Sequence, residues 1–181
     1  MNPSKGKFLI SEPFLGDPNF ERSVVLLCEH NEQGSFGLVL NQKSNLSLGD
    51  VMEGIYGDFQ LYVGGPVEQN TLHYIHRLGD QIAASIPLGN GIYWSGDFEE
   101  IKTLMNIGKI PENDIRFFLG YSGWGEGQLT DEMKRNSWIV SNADAEFIFD
   151  TPNEQFWRAV LKRMGGEYKV LSNYPTDPRL N

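Results

Sequence analysis

Two segments of the sequence place side chains together that could carry out chemistry. The segment Glu29–Asn31 sets an acid, a base and an amide side by side after an apolar run. The segment Gly120–Trp124 sets Ser122 among glycines, ahead of a polar stretch that includes Gln128. A base within hydrogen-bond reach of a hydroxyl is a starting point for nucleophilic hydrolysis. One hypothesis is therefore a hydrolase in which His30 reaches Ser122 or Gln128 across a cleft.

The stretch Gly120–Trp124 shares some features with a nucleophile elbow, the sharp strand-to-helix turn that exposes a catalytic serine. That motif needs glycine at its fifth position, where this chain has Trp124, and a histidine after the serine. All three histidines precede Ser122. We therefore favour a tight glycine turn in which Tyr121 and Trp124 pack, while a triad in another order stays open.

The same glycines could also cradle an anion, because free backbone N–H groups before a helix attract phosphate or carboxylate. However, the spacing over residues 123–127 matches neither the Walker loop nor the dinucleotide fingerprint. Glu126 would also place a negative charge beside the ligand. The sequence therefore predicts no bound cofactor at this turn.

His73 and His76 suggest a metal site only if they share a face. On a strand, residues three apart point to opposite faces, and no cysteine or carboxylate cluster completes a ligand set at a recognisable spacing. Cys28 lies in an apolar run and is interpreted as a small buried hydrophobic residue. No metal site is predicted.

Composition narrows the function classes further. A chain of 181 residues with 40% hydrophobic residues suits one globular domain. Its net charge of −9 disfavours non-specific binding to nucleic acid. No apolar run approaches the roughly 20 residues of a membrane helix, and the N-terminal apolar stretch is too short for a signal peptide. We expect a cytoplasmic protein without a membrane segment, and one cysteine permits no intrachain disulfide.

Apolar periodicity and turn residues predict the elements that would position these segments. Strands are expected at 8–10, 23–28, 36–40, 60–63, 71–76, 83–86, 91–94, 115–119, 138–140 and 146–149. The run 23–28 should be covered on both faces, and 29–35 should form a hairpin loop longer than two residues. Helices are expected from Ser47 to Gly57, from Asp97, over Gly127–Arg135, and from Thr151 with Pro152 at the first position.

These elements predict an α+β fold with a mixed, mainly antiparallel sheet and about three to four helices, since strands and helices do not alternate regularly. Residues 1–166 are expected to form a single domain. Residues 167–181 are expected to form a C-terminal tail that lies on the surface or frays.

Several stretches together resemble the AlgH/YqgE family of bacterial proteins, and the resemblance runs in order along nearly the whole chain. It rests on residues 8–13, 17–24, 28–31, 64–67, 120–124, 127–129 and 136–138, with Gly34, Gly37 and Asn41. The resemblance implies an α+β fold whose bent or split sheet forms a pseudo-barrel. One branch of the family carries the label of transcriptional regulator, which rests on a genetic effect. The resemblance implies no catalytic residue and no cofactor.

The candidate pocket and family-marker residues are therefore Glu29, His30, Asn31, Asn41, Tyr121, Ser122, Trp124 and Gln128. The sequence favours a regulatory or interaction protein that acts through a protein partner or small ligand. The hydrolase is the alternative. Direct DNA binding ranks third, because no helix-turn-helix, zinc or basic-region motif is present.

Overall fold

A computed structural model describes residues 1–176 of the chain. Its strands are β1 (Lys7–Ser11), β2 (Val24–Asn31), β3 (Gly34–Val39), β4 (Lys43–Ser47), β5 (Gln60–Val63), β6 (Val67–His76), β7 (Ile86–Gly89), β8 (Ile92–Trp94), β9 (Ile115–Gly125) and β10 (Trp138–Asn142). Its α-helices are α1 (Leu48–Val51), α2 (Phe98–Asn106), α3 (Gln128–Lys134), α4 (Ala145–Asp150), α5 (Phe156–Met164) and α6 (Gly166–Leu171). None of these helices is long and apolar enough to cross a membrane.

One ten-stranded sheet organises the fold. Its main order is β10-β1-β2-β3-β9-β6-β8-β7, with β4 paired to β5 and β5 paired to β9. All pairs are antiparallel except β5 with β9. The predicted α+β class with a mainly antiparallel sheet is confirmed. The described residues contain six α-helices, of which three have seven or more residues, against the three to four predicted.

The strand β9 is longer than the sequence predicted. The glycines after Leu119 were expected to form a turn, but the strand continues to Gly125. Its first part pairs with β5 and β6, and its last part pairs with β3. Gly120 is required here because another backbone approaches the strand closely: a Cβ on Gly120 would lie 2.7 Å from the carbonyl oxygen of Gly65.

That close approach is tightest where the segment Gly64–Gly65 meets β9. A Cβ atom on Gly65 would lie 2.2 Å from the carbonyl carbon and oxygen of Tyr121, and one on Gly64 would lie 2.4 Å from the oxygen of Gly120. Gly120 itself has φ +73°, a left-handed conformation that glycine adopts without strain. Only residues without a side chain allow the two backbones to meet, so this contact fixes the middle of β9.

The two faces of the sheet carry three apolar cores. Alternate residues of β2 divide between two of them: Val24, Leu26 and Cys28 pack with α4 and α5, and Val25 and Leu27 pack with α3. All five are fully buried, which confirms that this strand is covered on both faces. The third core packs α2 against the first half of β9 and its neighbours.

Two predicted elements near the C-terminus were wrong. Residues 146–149, predicted as a strand, belong to helix α4, because the Asp144 carboxylate accepts a hydrogen bond from Phe147 N at 2.8 Å and caps the helix. A short apolar run cannot by its pattern distinguish a strand from a buried helix. The helix predicted from Thr151 begins as a 3₁₀ turn at Asn153–Gln155, and α5 starts at Phe156.

The limits of several other helices and strands also differ from the predicted ones. The helix expected over 47–57 is the single turn α1, with Ser47 at its N-cap as predicted. The strand expected at 83–86 begins only at Ile86, and β4 was missed. The segment predicted as a tail begins with α6, whose Tyr168 and Leu171 pack against the large core, and residues 177–181 lie outside the described part.

Candidate functional site: the hairpin groove

The segments 28–31 and 120–128 lie close together, on either side of β3. Between them is a groove of about 620 Å³, called here the hairpin groove. It is lined by His30, Asn31, Glu32, Gly34, Ser35, Gly125, Glu126, Gly127, Leu129 and Thr130. The end of the β2–β3 hairpin forms one wall, and the β9–α3 connection forms the other.

The hairpin is tighter than the sequence predicted. β2 runs to Asn31 and β3 begins at Gly34, so the loop has two residues and the longer loop predicted over 29–35 is wrong. The Asn31 side-chain oxygen accepts a hydrogen bond from Gln33 N at 2.9 Å, which stabilises the turn. A Cβ on Gly34 would lie 2.4 Å from the carbonyl oxygen of Trp124, so glycine lets the hairpin press against β9.

A bulge in β2 decides which way His30 faces. The register with β3 shifts between Leu27 and Glu29, so that Glu29 opposes Phe36 and His30 opposes Ser35. Because side chains alternate across a strand, one extra residue reverses the faces of all that follow. His30 and Ser35 therefore share the side of the sheet that α3 covers. The His30 Nδ1 and Ser35 Oγ atoms are 2.6 Å apart.

The opposite wall is held by a contact within the β9–α3 connection. The amide N–H of Gly125 donates to the Gln128 side-chain oxygen at 3.0 Å. Gly127 has φ +74° and adopts the left-handed conformation directly before α3. These two features set the direction in which Leu129 and Thr130 face the groove.

The charged side chains of the groove are acidic. Glu32 and Glu126 are exposed at its rim, and none of the described residues that line it is a lysine or an arginine. Carboxylates attract cations and repel phosphate. The electrostatics of the groove therefore favour a ligand that carries a positive charge.

Ser122 does not reach this groove. Its side chain is fully buried, and its hydroxyl donates to the carbonyl oxygen of Gly64 at 3.1 Å, where it holds the backbone contact in the middle of β9. The predicted contact of His30 with Ser122 or Gln128 is not formed, since His30 bonds Ser35 and the Gln128 oxygen accepts from Gly125. The hydroxyl available to His30 is that of Ser35.

Three further candidate residues, Tyr121, Trp124 and Asn41, make contacts that stabilise the fold. Tyr121 stacks on Phe36 with ring centroids 4.7 Å apart, on the side of the large core. Trp124 is 4% exposed and its indole N–H points to the Glu132 carboxylate at 3.4 Å. The Asn41 side chain stabilises the backbone at the start of β2.

The Asn41 side chain makes two hydrogen bonds to the backbone. Its amide nitrogen donates to Arg22 O at 3.0 Å and its oxygen accepts from Val24 N at 3.1 Å. Asn41 thus fixes the entry into β2 and lies away from the groove, beside a separate cavity of about 310 Å³. Glu29 also lies outside the groove and lines a smaller depression of about 240 Å³ on the hairpin.

Sequence reasoning missed Ser35, Glu32 and Thr130 as groove residues. A signal for Ser35 was present: a two-residue turn at Glu32–Gln33 places position 30 opposite position 35. Thr130 had no such signal, because its position depends on how α3 packs against the sheet.

The remaining histidines and the cysteine are structural. His73 and His76 lie on opposite faces of β6: His73 contacts the Tyr121 ring, and His76 stacks on Tyr93. Within residues 1–176 no group of three or more His, Cys, Asp or Glu side chains could hold a metal ion. Burial, followed by the neighbouring Glu29 carboxylate, raises the pKa of the Cys28 thiol, so its reactive thiolate form is disfavoured.

The fold and groove define an α+β protein with a mainly antiparallel sheet and a surface hairpin groove, and comparison with known proteins places it in a family. The AlgH-like family model matches residues 8–169, and the chain belongs to this family. A UPF0301 protein of Cytophaga hutchinsonii is 50% identical over 180 residues, covering 98% of this chain and 99% of the relative. A UPF0301 protein of Bacteroides thetaiotaomicron is 42% identical over 181 residues, covering 99% and 92%.

Two solved structures share the fold over nearly the whole chain. The solution structure of AlgH from Pseudomonas aeruginosa has a TM-score of 0.73 and 33% identity, covering 97% of this chain and 98% of that chain. The crystal structure of a Corynebacterium diphtheriae protein has a TM-score of 0.78 and 25% identity, covering 96% and 94%. The family resemblance predicted from the sequence is confirmed.

Proposed function

We propose that this protein is a regulatory or interaction protein, and that the hairpin groove binds a positively charged segment of a protein partner or a small cationic ligand. The observation that carries the proposal is the acidic groove itself, about 620 Å³ in volume, with Glu32 and Glu126 at its rim and no lysine or arginine among the described residues that line it. The His30–Ser35 pair adds hydrogen-bonding partners.

The test is a titration of the isotope-labelled full chain followed by NMR. A lysine- and arginine-containing peptide is compared with a peptide of the same length in which glutamate replaces the basic residues. We expect saturable shifts of the Gly34, Gly125 and Gly127 amides with the basic peptide only. The double variant Glu32→Gln/Glu126→Gln should weaken binding about threefold to tenfold, because each carboxylate contributes a modest attraction near the surface.

The matched control carries the same charge change elsewhere. Glu53→Gln/Glu99→Gln removes two exposed carboxylates outside the groove. If both double variants weaken the shifts equally, the attraction comes from the net charge of the protein and the groove is not the site.

A hydrolase is the second candidate, and one distance favours it. Ser35 Oγ lies 2.6 Å from His30 Nδ1 at the groove, close enough for a base to take the proton of a nucleophile. Purified protein should then hydrolyse an activated ester, and Ser35→Ala and His30→Gln should each abolish the activity. Thr130→Val, which changes another groove residue, should keep it. Equal rates for wild type and Ser35→Ala would exclude this mechanism.

Direct binding to DNA is the least favoured function. The net charge of −9 and the acidic rim of the groove both repel a phosphate backbone. A salt titration of any DNA binding gives the decisive measurement: a steep salt dependence, equivalent to several phosphate contacts, would revive this function.

A further inference from the structure

A second cavity lies near the start of β9 and contains a buried cation. The cavity has a volume of about 220 Å³ and shares no lining residue with the hairpin groove. Arg116 lines it and is only 9% exposed. Arginine is almost never buried to this degree without a partner for its charge.

Within residues 1–176, the hydrogen-bond partners of Arg116 are neutral. Its Nη1 donates to Leu40 O at 3.0 Å and its Nη2 donates to Ile148 O at 3.2 Å. The guanidinium lies over the Tyr62 ring at 4.5 Å, which adds a cation–π attraction. None of the ion pairs within residues 1–176 includes Arg116.

Burial lowers the pKa of Arg116, because the charged form loses water that these neutral groups replace only in part. A guanidinium has five N–H donors in a planar fork, which is suited to the two oxygens of a carboxylate or phosphate. The carbonyls of Leu40 and Ile148 leave further donors of this fork without an anionic acceptor.

A second cation, the partly exposed Lys43, lies at the opening of the cavity. Lys43 lines it, has a side chain that is 44% exposed, and lies 3.7 Å from the exposed carboxylate of Glu154. An exposed pair of this kind is weak and can exchange partners. Two carboxylates also line the cavity, Asp58 and Glu112, and the Glu112 Oε1 atom accepts from Asp58 N at 3.3 Å. The small volume restricts the occupant to a small ion, and these carboxylates weaken the attraction for an anion as its charge rises.

We propose that this cavity binds a small oxyanion, a carboxylate or phosphate group, between Arg116 and Lys43. The anion accepts hydrogen bonds from the buried guanidinium, which forms no ion pair within residues 1–176. The site is independent of the function proposed for the hairpin groove.

The test uses the labelled full chain at constant ionic strength, with sodium chloride replaced stepwise by sodium acetate in one series and by sodium phosphate in another. We expect saturable NMR shifts at the amides of Asn113, Ile115 and Phe149. Saturation by acetate alone assigns a carboxylate ligand, and saturation by phosphate alone assigns a phosphate ligand. If neither salt gives saturable shifts, the proposal is overturned.

Variants separate the site from general charge effects. Lys43→Gln is on the exposed rim and should fold normally, and it should weaken binding about threefold. Arg116→Lys keeps the charge but loses the fork and should weaken binding about tenfold. Arg163→Lys is the control, because this arginine lies over the Phe147 ring at 3.9 Å, outside the cavity. Equal affinity in Lys43→Gln and Arg163→Lys would contradict the assignment.

Discussion

The two ends of β9 border cavities of opposite character. At its end, the hairpin groove is wide, open and rimmed by the carboxylates of Glu32 and Glu126. Near its start, the smaller cavity is built around Arg116, whose guanidinium is buried against Tyr62 and two backbone carbonyls. A groove with exposed carboxylates thus lies at one end of β9, and a cavity with a buried cation lies at the other.

The difference shows that net charge is a poor guide to a local site. A net charge of −9 correctly describes the long-range field that disfavours nucleic acid. It does not describe a cavity where one cation is shielded from water and faces neutral partners, because burial strengthens short-range electrostatics relative to distant surface charges. The end of β9 at the hairpin groove, called the open end, depends on turns. The start of β9 at the Arg116 cavity, called the closed end, depends on packing. Different substitutions should therefore affect the two ends.

The largest expected effect comes from Gly65→Ala, which would disrupt both ends at once. A Cβ there would lie 2.2 Å from backbone atoms of Tyr121 and 2.4 Å from Ser122 Oγ, and the residue has φ +156°. Neither backbone can yield without separating the strands. We expect a loss of about 3 kcal/mol or more in the free energy of unfolding, measured with urea.

The control for this substitution is Gly16→Ala, where a Cβ would meet no atom within 4 Å. Its unfolding free energy should stay within about 0.5 kcal/mol of wild type. Wild-type stability in Gly65→Ala would show that the backbones of Gly65 and Tyr121 can move apart without a loss of folding free energy.

Glu132→Ala should affect the open end by loosening α3, which forms one wall of the groove. The Glu132 Oε1 atom accepts from the indole N–H of Trp138 at 3.1 Å and of Trp124 at 3.4 Å. Removing it leaves two largely buried donors without this acceptor, at a cost of about 2 kcal/mol. Tryptophan fluorescence during urea unfolding measures the change. The neighbouring Asp131→Ala, at an exposed position, should cost less than about 0.5 kcal/mol.

The closed end should show a pH dependence through His76, which pairs in register with Ile115 beside Arg116. His76 is fully buried; its Nδ1 accepts from Leu78 N at 3.2 Å and its Nε2–H donates to Ser95 O at 3.0 Å, which defines the neutral ring. Burial lowers its pKa below the ordinary 6.5. The unfolded chain therefore binds more protons between the two pKa values, and stability is lost as the pH falls below about 6.5.

His76→Gln should flatten this decline, which is at most about 1.4 kcal/mol per pH unit for one group. Unfolding free energies at pH 7.5 and pH 5.5 provide the comparison. Burial also lowers the pKa of His73, so the double variant His73→Gln/His76→Gln should be flatter still. A steeper decline in His76→Gln than in wild type would contradict the assigned neutral ring.

The smallest effect is expected from Gln128→Ala at the open end. It removes the exposed hydrogen bond to Gly125 N, worth about 0.5–1 kcal/mol. The Gly125 amide resonance should move, and Gln128→Glu, which keeps an acceptor, should restore it. If alanine and glutamate shift this resonance alike, the side-chain oxygen does not hold the turn.

Much of the fold could be predicted from local pattern. The unbroken run in β2 indicated a strand buried on both faces, and Ser47, Asp97 and Gly127 correctly marked the starts of helices. The prediction failed where one sequence pattern fits both a strand and a buried helix. Residues 146–149 are apolar enough for a strand, and only the cap at Asp144 and the packing of Ile148 on the large core make them helical.

The candidate site was predicted in part for a similar reason. Both segments of the groove were identified, but Ser122 was assigned to it because glycine-rich sequence was interpreted as a turn. In the folded chain Gly120 lies against the backbone of Gly64 and Gly65, and the Ser122 hydroxyl donates to the Gly64 carbonyl. A local pattern cannot indicate a partner more than fifty residues away.

The sequence by itself determined the α+β class, the family and the acidic charge, because apolar periodicity, ordered motifs and composition are local or additive properties. Only the tertiary structure decided that His30 faces Ser35, that Ser122 is a structural hydroxyl, and that Arg116 lies buried beside a cavity. The physical reason is that a bulge, a backbone crossing and a buried charge each depend on the register between distant strands. That register is set by packing the whole sheet, and no single segment contains it.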